Sequence, residues 1–142
     1  MGQHSKASKQ RKSKSRSPDC HASMCGTHET FAMIYDSMLK HPAFIKLSPT
    51  AKIIYMLCRN QATCREGRQC LHQHSKRTGV TYPDNCFVFP AKQQEQYGYT
   101  GRANVTKYLN ELIEAGFIKH YEKNQHRFKV NVYQFTSEWK NE

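Results

Sequence analysis

At 142 residues the chain has room for one ordinary domain and a tail, and 37% hydrophobic residues with a mean hydropathy of −0.84 leave only a lean core. Lys and Arg number 22 against 11 acids, a net charge of +11 that favours a polyanionic partner, because each cation meeting a phosphate releases a condensed counterion. The longest apolar run, 53–58, is too short to span a bilayer, and the polar stretch 17–29 offers no apolar segment for a secretory signal. The expected setting is therefore the cytoplasm, nucleoid-associated, where the six cysteines stay reduced and no membrane is engaged. Charge alone leaves DNA and RNA both open.

In chain order, 1–30 reads as a disordered basic tail. Lys6, Lys9, Arg11, Lys12, Lys14 and Arg16 are interleaved with Ser and Gln, and no apolar period appears that could offset the entropy of ordering. The tail is either a solvated solubility segment or an electrostatic arm for nucleic acid. A single domain is expected over 31–142. Its first stretch, 31–47, is apolar enough to pack against or swap with a second copy, which keeps a homodimer open. Ser48 as N-cap and Pro49 at the first helical position open a helix over 49–62, with Ala51, Ile54, Tyr55 and Cys58 on its core face.

The stretch 64–85 has no sustained period and is rich in Arg, His, Gln and Gly, so it reads as a long basic loop. A short strand over 86–89 and a short helix over 91–97 follow, closed by Gly98. Thr100 is the expected cap of a longer helix over about 101–115, which Gly116 ends. Two segments rich in aromatic and β-branched residues, 117–122 and 127–135, then make a hairpin. Helix, tight turn, capped helix and hairpin are the order of a winged helix-turn-helix, so the expected class is α+β.

The second helix of that unit carries the functional expectation. Val105, Leu109, Leu112 and Ile113 share one face, while Arg102, Asn104, Thr106, Lys107 and Asn110 crowd the N-terminal part of the other, with Glu111 and Glu114 in its far half. That polarity suits a helix entering a major groove by its N-terminal end, where Arg pairs with guanine and Asn with adenine. Thr100 and the helix start suit a phosphate. The hairpin adds Lys119, His120, Lys123, His126, Arg127 and Lys129. Of these, Lys123, His126 and Arg127 are the expected contacts of a wing on the DNA backbone or minor groove. An RNA-binding protein relying on tail and loop, and a winged-helix protein–protein adaptor, are the alternatives.

These residues also resemble a known family. The runs Leu47-Ser48-Pro49-Thr50-Ala51-Lys52-Ile53-Ile54-Tyr55, Asp84-Asn85-Cys86-Phe87-Val88-Phe89, Thr106-Lys107-Tyr108-Leu109-Asn110-Glu111-Leu112, Gly116-Phe117-Ile118 and Asn131-Val132-Tyr133 are similar to the N-terminal winged-helix domain of RepA-type plasmid replication initiators and related phage replisome-organiser proteins. The resemblance implies sequence-specific duplex DNA binding in replication initiation. The Leu-x-x-x-Gly-Phe-Ile ending occurs equally in winged-helix transcription regulators, so transcription regulation stays open beside it.

Other chemistry finds little footing. Cys64, Cys70, His72, His74 and Cys86 have the right donors for tetrahedral zinc, but their spacing matches no familiar module, nor does that of Cys20, His21, Cys25 and His28. No metal site is assigned. No Walker loop, dinucleotide fingerprint or credible carboxylate pair is present, and Asp19, Asp36 and Asp84 are scattered. The expectation is a non-enzyme without cofactor or small-molecule substrate.

Overall fold

A computed structural model describes residues 30–123 and 130–141, with Arg102 and Ala103 described in their backbone only. The expected tail and the hairpin tip, which holds His126 and Arg127, lie outside the described residues. In chain order the elements are α1 (Asp36–Leu39), α2 (Pro42–Ile45), α3 (Pro49–Thr63), α4 (Arg65–Thr78), β1 (Cys86–Val88), α5 (Ala91–Gln96), α6 (Arg102–Glu114), β2 (Ile118–Glu122) and β3 (Val132–Phe135), with a closing 3-10 turn at Glu138–Asn141. The class is α+β. Its small sheet is antiparallel throughout, in the order β1-β3-β2.

The start of α3 follows the local chemistry of its sequence. Ser48 Oγ accepts the Ala51 N–H at 3.2 Å, and Pro49 occupies the first turn, where a missing N–H costs nothing. The face of Ala51, Ile54, Tyr55 and Cys58 is buried as its spacing predicts. Around it gather Val105, Leu109 and Leu112 of α6, Phe87 of β1, and Phe117 with Ile118 at the start of β2. Tyr55 is the aromatic hub, its ring 5.6 Å from Phe117 and 5.9 Å from Phe135, edge-on in both cases. Trp139 of the closing turn stacks on Phe117 at 5.5 Å.

The long loop expected over 64–85 is largely wrong: Arg65–Thr78 is a helix. Its ends carry ordinary signals in unusual residues. The Cys64 thiol accepts the Gly67 N–H at 3.3 Å as a cap, and Gly79 closes the helix in the left-handed conformation, with φ 73°. Its inward stripe is Gly67, Cys70, Leu71, His74 and Thr78, spaced for a helix but built largely of residues that hydropathy does not count as apolar. Gly67 is obligatory there. A Cβ at that position would lie 1.7 Å from the Gln61 carbonyl oxygen, so α4 leaves α3 by direct backbone contact.

Strand β1 joins the two halves of the interior. Phe87, with Phe89 just beyond the strand, faces the main core, whereas Cys86 and Val88 join Tyr82 and Val132 in a second cluster that Cys70 and Leu71 of α4 cover. A polar contact ties α4 to β2 as well. His74, 4% exposed, stacks on Tyr82 at 5.8 Å and brings Nε2 within 3.6 Å of Glu122, whose other carboxylate oxygen accepts the Tyr82 hydroxyl at 2.9 Å. Helix α4 thus backs the sheet on the side away from α3.

Candidate nucleic-acid interface

Helix α6 stands on α3 through Val105, Leu109 and Leu112, each buried. A second device fixes its angle. The Glu111 carboxylate accepts the Ser48 backbone N–H at 2.8 Å and the Ser48 hydroxyl at 2.9 Å, so it ties α6 to the capped end of α3. The expectation that Glu111 belongs to the outward acidic half is corrected accordingly: it is half-buried and structural. Glu114 is exposed as expected.

The turn before α6 is held just as firmly. Gln94 is buried and donates from Nε2 to the Phe89 carbonyl at 2.8 Å, while Asn60 of α3 donates to the Tyr97 hydroxyl at 2.8 Å. Burial pushes the Tyr97 phenol above its ordinary range, so it stays a neutral hydroxyl in that bond. Gly98 turns the chain at φ 88°, and its N–H and that of Tyr99 return to Glu95 and Gln94 carbonyls at 3.0 and 3.1 Å. The tight turn falls where the sequence places it. The cap does not. Gly101, at φ 122°, is the N-cap residue, and no side chain among the described residues caps the helix. Thr100 is exposed one residue too early to do so.

Among the expected site residues, Asn104, Thr106, Lys107 and Asn110 are all exposed on α6, and Arg102 is its first residue. They share the helix with a buried face and so lie on a surface whose position is set by packing. The Lys107 ammonium lies 5.7 Å from the Tyr108 ring centroid, close enough for a weak cation–π attraction. Lys123 is exposed just past β2, and Lys119 is exposed on the strand. His120 departs from the expectation of a basic hairpin face. It is half-buried with its ring 5.1 Å from Tyr133, and burial first, then the nearby Lys123 charge, hold its imidazole below the ordinary 6.5.

The cysteine and histidine set is spread by α4. Cys64 caps it, Cys70 and His74 lie on its inward stripe, His72 is exposed, and Cys86 is buried on β1, where burial pushes its thiol up to about 11. Among the described residues no three His, Cys, Asp or Glu side chains converge as a metal site. The basic character of 64–85 is plain in the sequence, but its folding into a helix with Arg65, Arg68, Lys76 and Arg77 exposed is not. The cap-like Cys64 and the Gly79 stop were the available signals. No family model, curated protein or solved structure matches this chain.

Proposed function

We propose that the chain is a winged helix-turn-helix that binds a specific site in double-stranded DNA, in plasmid- or phage-type replication initiation or in transcription regulation. The observation that carries this reading is the two-sided α6, with Val105, Leu109 and Leu112 buried and Asn104, Thr106, Lys107 and Asn110 exposed opposite them. Two further observations support it. The succession α3, β1, α5, α6, β2, β3, interrupted by α4, and the sheet order β1-β3-β2 agree with what a winged helix requires, the β2–β3 hairpin taking the part of the wing. And the hydrogen bonds of Gln94 and Tyr97 anchor α5 and the start of the turn, while Glu111 ties α6 to Ser48, which suits a rigid reading unit.

In this reading Arg102 and Asn104 address base edges, Lys107 and Asn110 meet a base or a phosphate, and Thr100 and Thr106 add hydroxyl contacts at the groove edge. Lys123, with His126 and Arg127, belongs to the wing. The test is selection of bound molecules from random duplex DNA and random RNA pools in parallel. A duplex motif should emerge, and Arg102→Ala should cost roughly 1–3 kcal/mol on it and relax the choice at one position. Enrichment of RNA alone, or a motif indifferent to Arg102, Asn104 and Lys107 together, overturns the proposal.

A further inference from the structure

Helix α4 carries cations without the acids that usually accompany them. Arg65, Arg68, Lys76 and Arg77 are exposed, Glu66 is the helix's one acid, and among the described residues none of the four cations forms an ion pair. A surface helix kept soluble by charge ordinarily sets opposite signs at i, i+4. Here the residues four positions beyond Arg65 and Arg68 are Gln69 and His72. Those are hydrogen-bonding side chains that neutralise neither arginine.

The two long flanks of α4 face different neighbours. On one flank Arg77 and Gln73 line a cleft of about 260 Å³ together with Lys92 of α5 and Val130, which leads into β3. That cleft is where α4, the first helix of the proposed reading unit and the base of the proposed wing meet. On the opposite flank Arg68 lines a separate cleft of about 440 Å³ with Thr63, Thr81 and Asp84. A carboxylate is present there, and no part of α5 or α6 is.

Resting on the duplex-binding reading, we infer that the C-terminal half of α4 is a second phosphate-contacting element. Arg77 and Gln73, joined by Lys92 of α5 across their shared cleft, hold the backbone of the same duplex where it passes beyond α6. The helix sets Gln73 and Arg77 four residues, about 6 Å, apart, so that both reach one stretch of backbone. Being buried against the sheet on its other side, it presents those side chains from a fixed position.

The experiment compares two double variants that remove equal charge, Arg77→Gln with Lys92→Gln and Arg65→Gln with Arg68→Gln. Affinity is measured against salt on the selected minimal duplex and on one extended by about one helical turn, roughly 10 base pairs, at each end. The Arg77/Lys92 pair should lower the slope of log K against log salt by about 1.8 on the extended duplex. Base preference should stay unchanged and the loss on the minimal duplex should be smaller. The Arg65/Arg68 pair should leave the slope near that of the unsubstituted chain, and Arg77→Lys, which keeps the charge, should retain most of the affinity. Circular dichroism and melting confirm that each variant is folded. Equal losses from both pairs would reduce the effect to bulk charge and overturn the inference, as would no loss from either. If Arg102→Ala still relaxes base choice in that case, only the α4 inference has failed; if the unsubstituted chain selects no duplex, the function reading has failed with it.

Discussion

Leu109 and Lys107 lie two residues apart on α6 and answer to different forces. Leu109 is 2% exposed against α3, so Leu109→Ala leaves a cavity and should cost about 2–5 kcal/mol of fold stability, lowering DNA binding only through unfolding. Lys107→Ala should leave the melting temperature unchanged and weaken binding in the folded state; thermal melts beside binding isotherms separate the two. Their difference was legible in the sequence, since apolar positions recurring at i, i+4 and i+7 fix which side of a helix is wet. Glu111 was not legible. Its partner Ser48 is 63 positions away, and no local pattern reports such a bond. His120 was misjudged for a similar reason, because strand alternation does not show which ring of β3 will shelter it. Its imidazole is held below 6.5 in the folded chain, so as pH falls below 6.5 the unfolded chain takes up a proton before the folded one does. Stability should therefore drop on acidification from that value downward. His120→Gln should show a smaller fall in melting temperature between about pH 7.5 and about pH 5.5; an acid slope identical to that of the unsubstituted chain would show the imidazole to be uninvolved.

At the level of elements, α3, β1, α5, α6 and β2 were legible to within a few residues, because each is bounded on at least one side by Ser-Pro, Pro or Gly and filled with residues of the matching period. The second hairpin strand, by contrast, expected over 127–135, is Val132–Phe135 among the described residues. Helix α4 escaped. Its inward stripe of Gly67, Cys70, Leu71, His74 and Thr78 has the right spacing, yet only one of these is a strong hydrophobe. Its burial depends on a polar contact to Glu122 and a backbone contact to Gln61 that the sequence does not announce. Gly67→Ala tests that packing directly. Alanine is the better helix former by roughly 1 kcal/mol, so helical propensity alone predicts stabilisation. The Cβ would nevertheless lie 1.7 Å from the Gln61 carbonyl oxygen, and overpacking of that kind costs about 1–3 kcal/mol or more. A net loss of stability in chemical denaturation is expected, and a gain would mean that the α3–α4 junction yields freely.

For the whole molecule, charge is the property read most directly from composition and least directly from any one element. Removal of 1–23 takes away Lys6, Lys9, Arg11, Lys12, Lys14 and Arg16 together with the single acid Asp19. Affinity for every duplex should then fall by a similar factor and the salt slope should flatten, with the ranking of sites preserved, since flexible cations mostly meet phosphates. A truncated chain that binds as tightly but no longer discriminates would assign base reading to the tail and take it from α6. On the proposed reading the labour is divided, with α6 selecting while the wing, α4 and the tail hold.

Strand β1 is three residues long and forms an edge of the sheet, yet two packed layers lean on it from opposite sides. It is a party wall, and a party wall restricts both owners. Trimming 65–78 to make a leaner protein would bare Cys86, Val88 and Val132 beside an open strand edge, the arrangement that invites edge-to-edge aggregation. Drift at Cys70 or Leu71 is tolerable only when the volume lost or gained is matched at Val88 or Val132. Substitutions in α4 and in the sheet it shelters should therefore be coupled rather than additive.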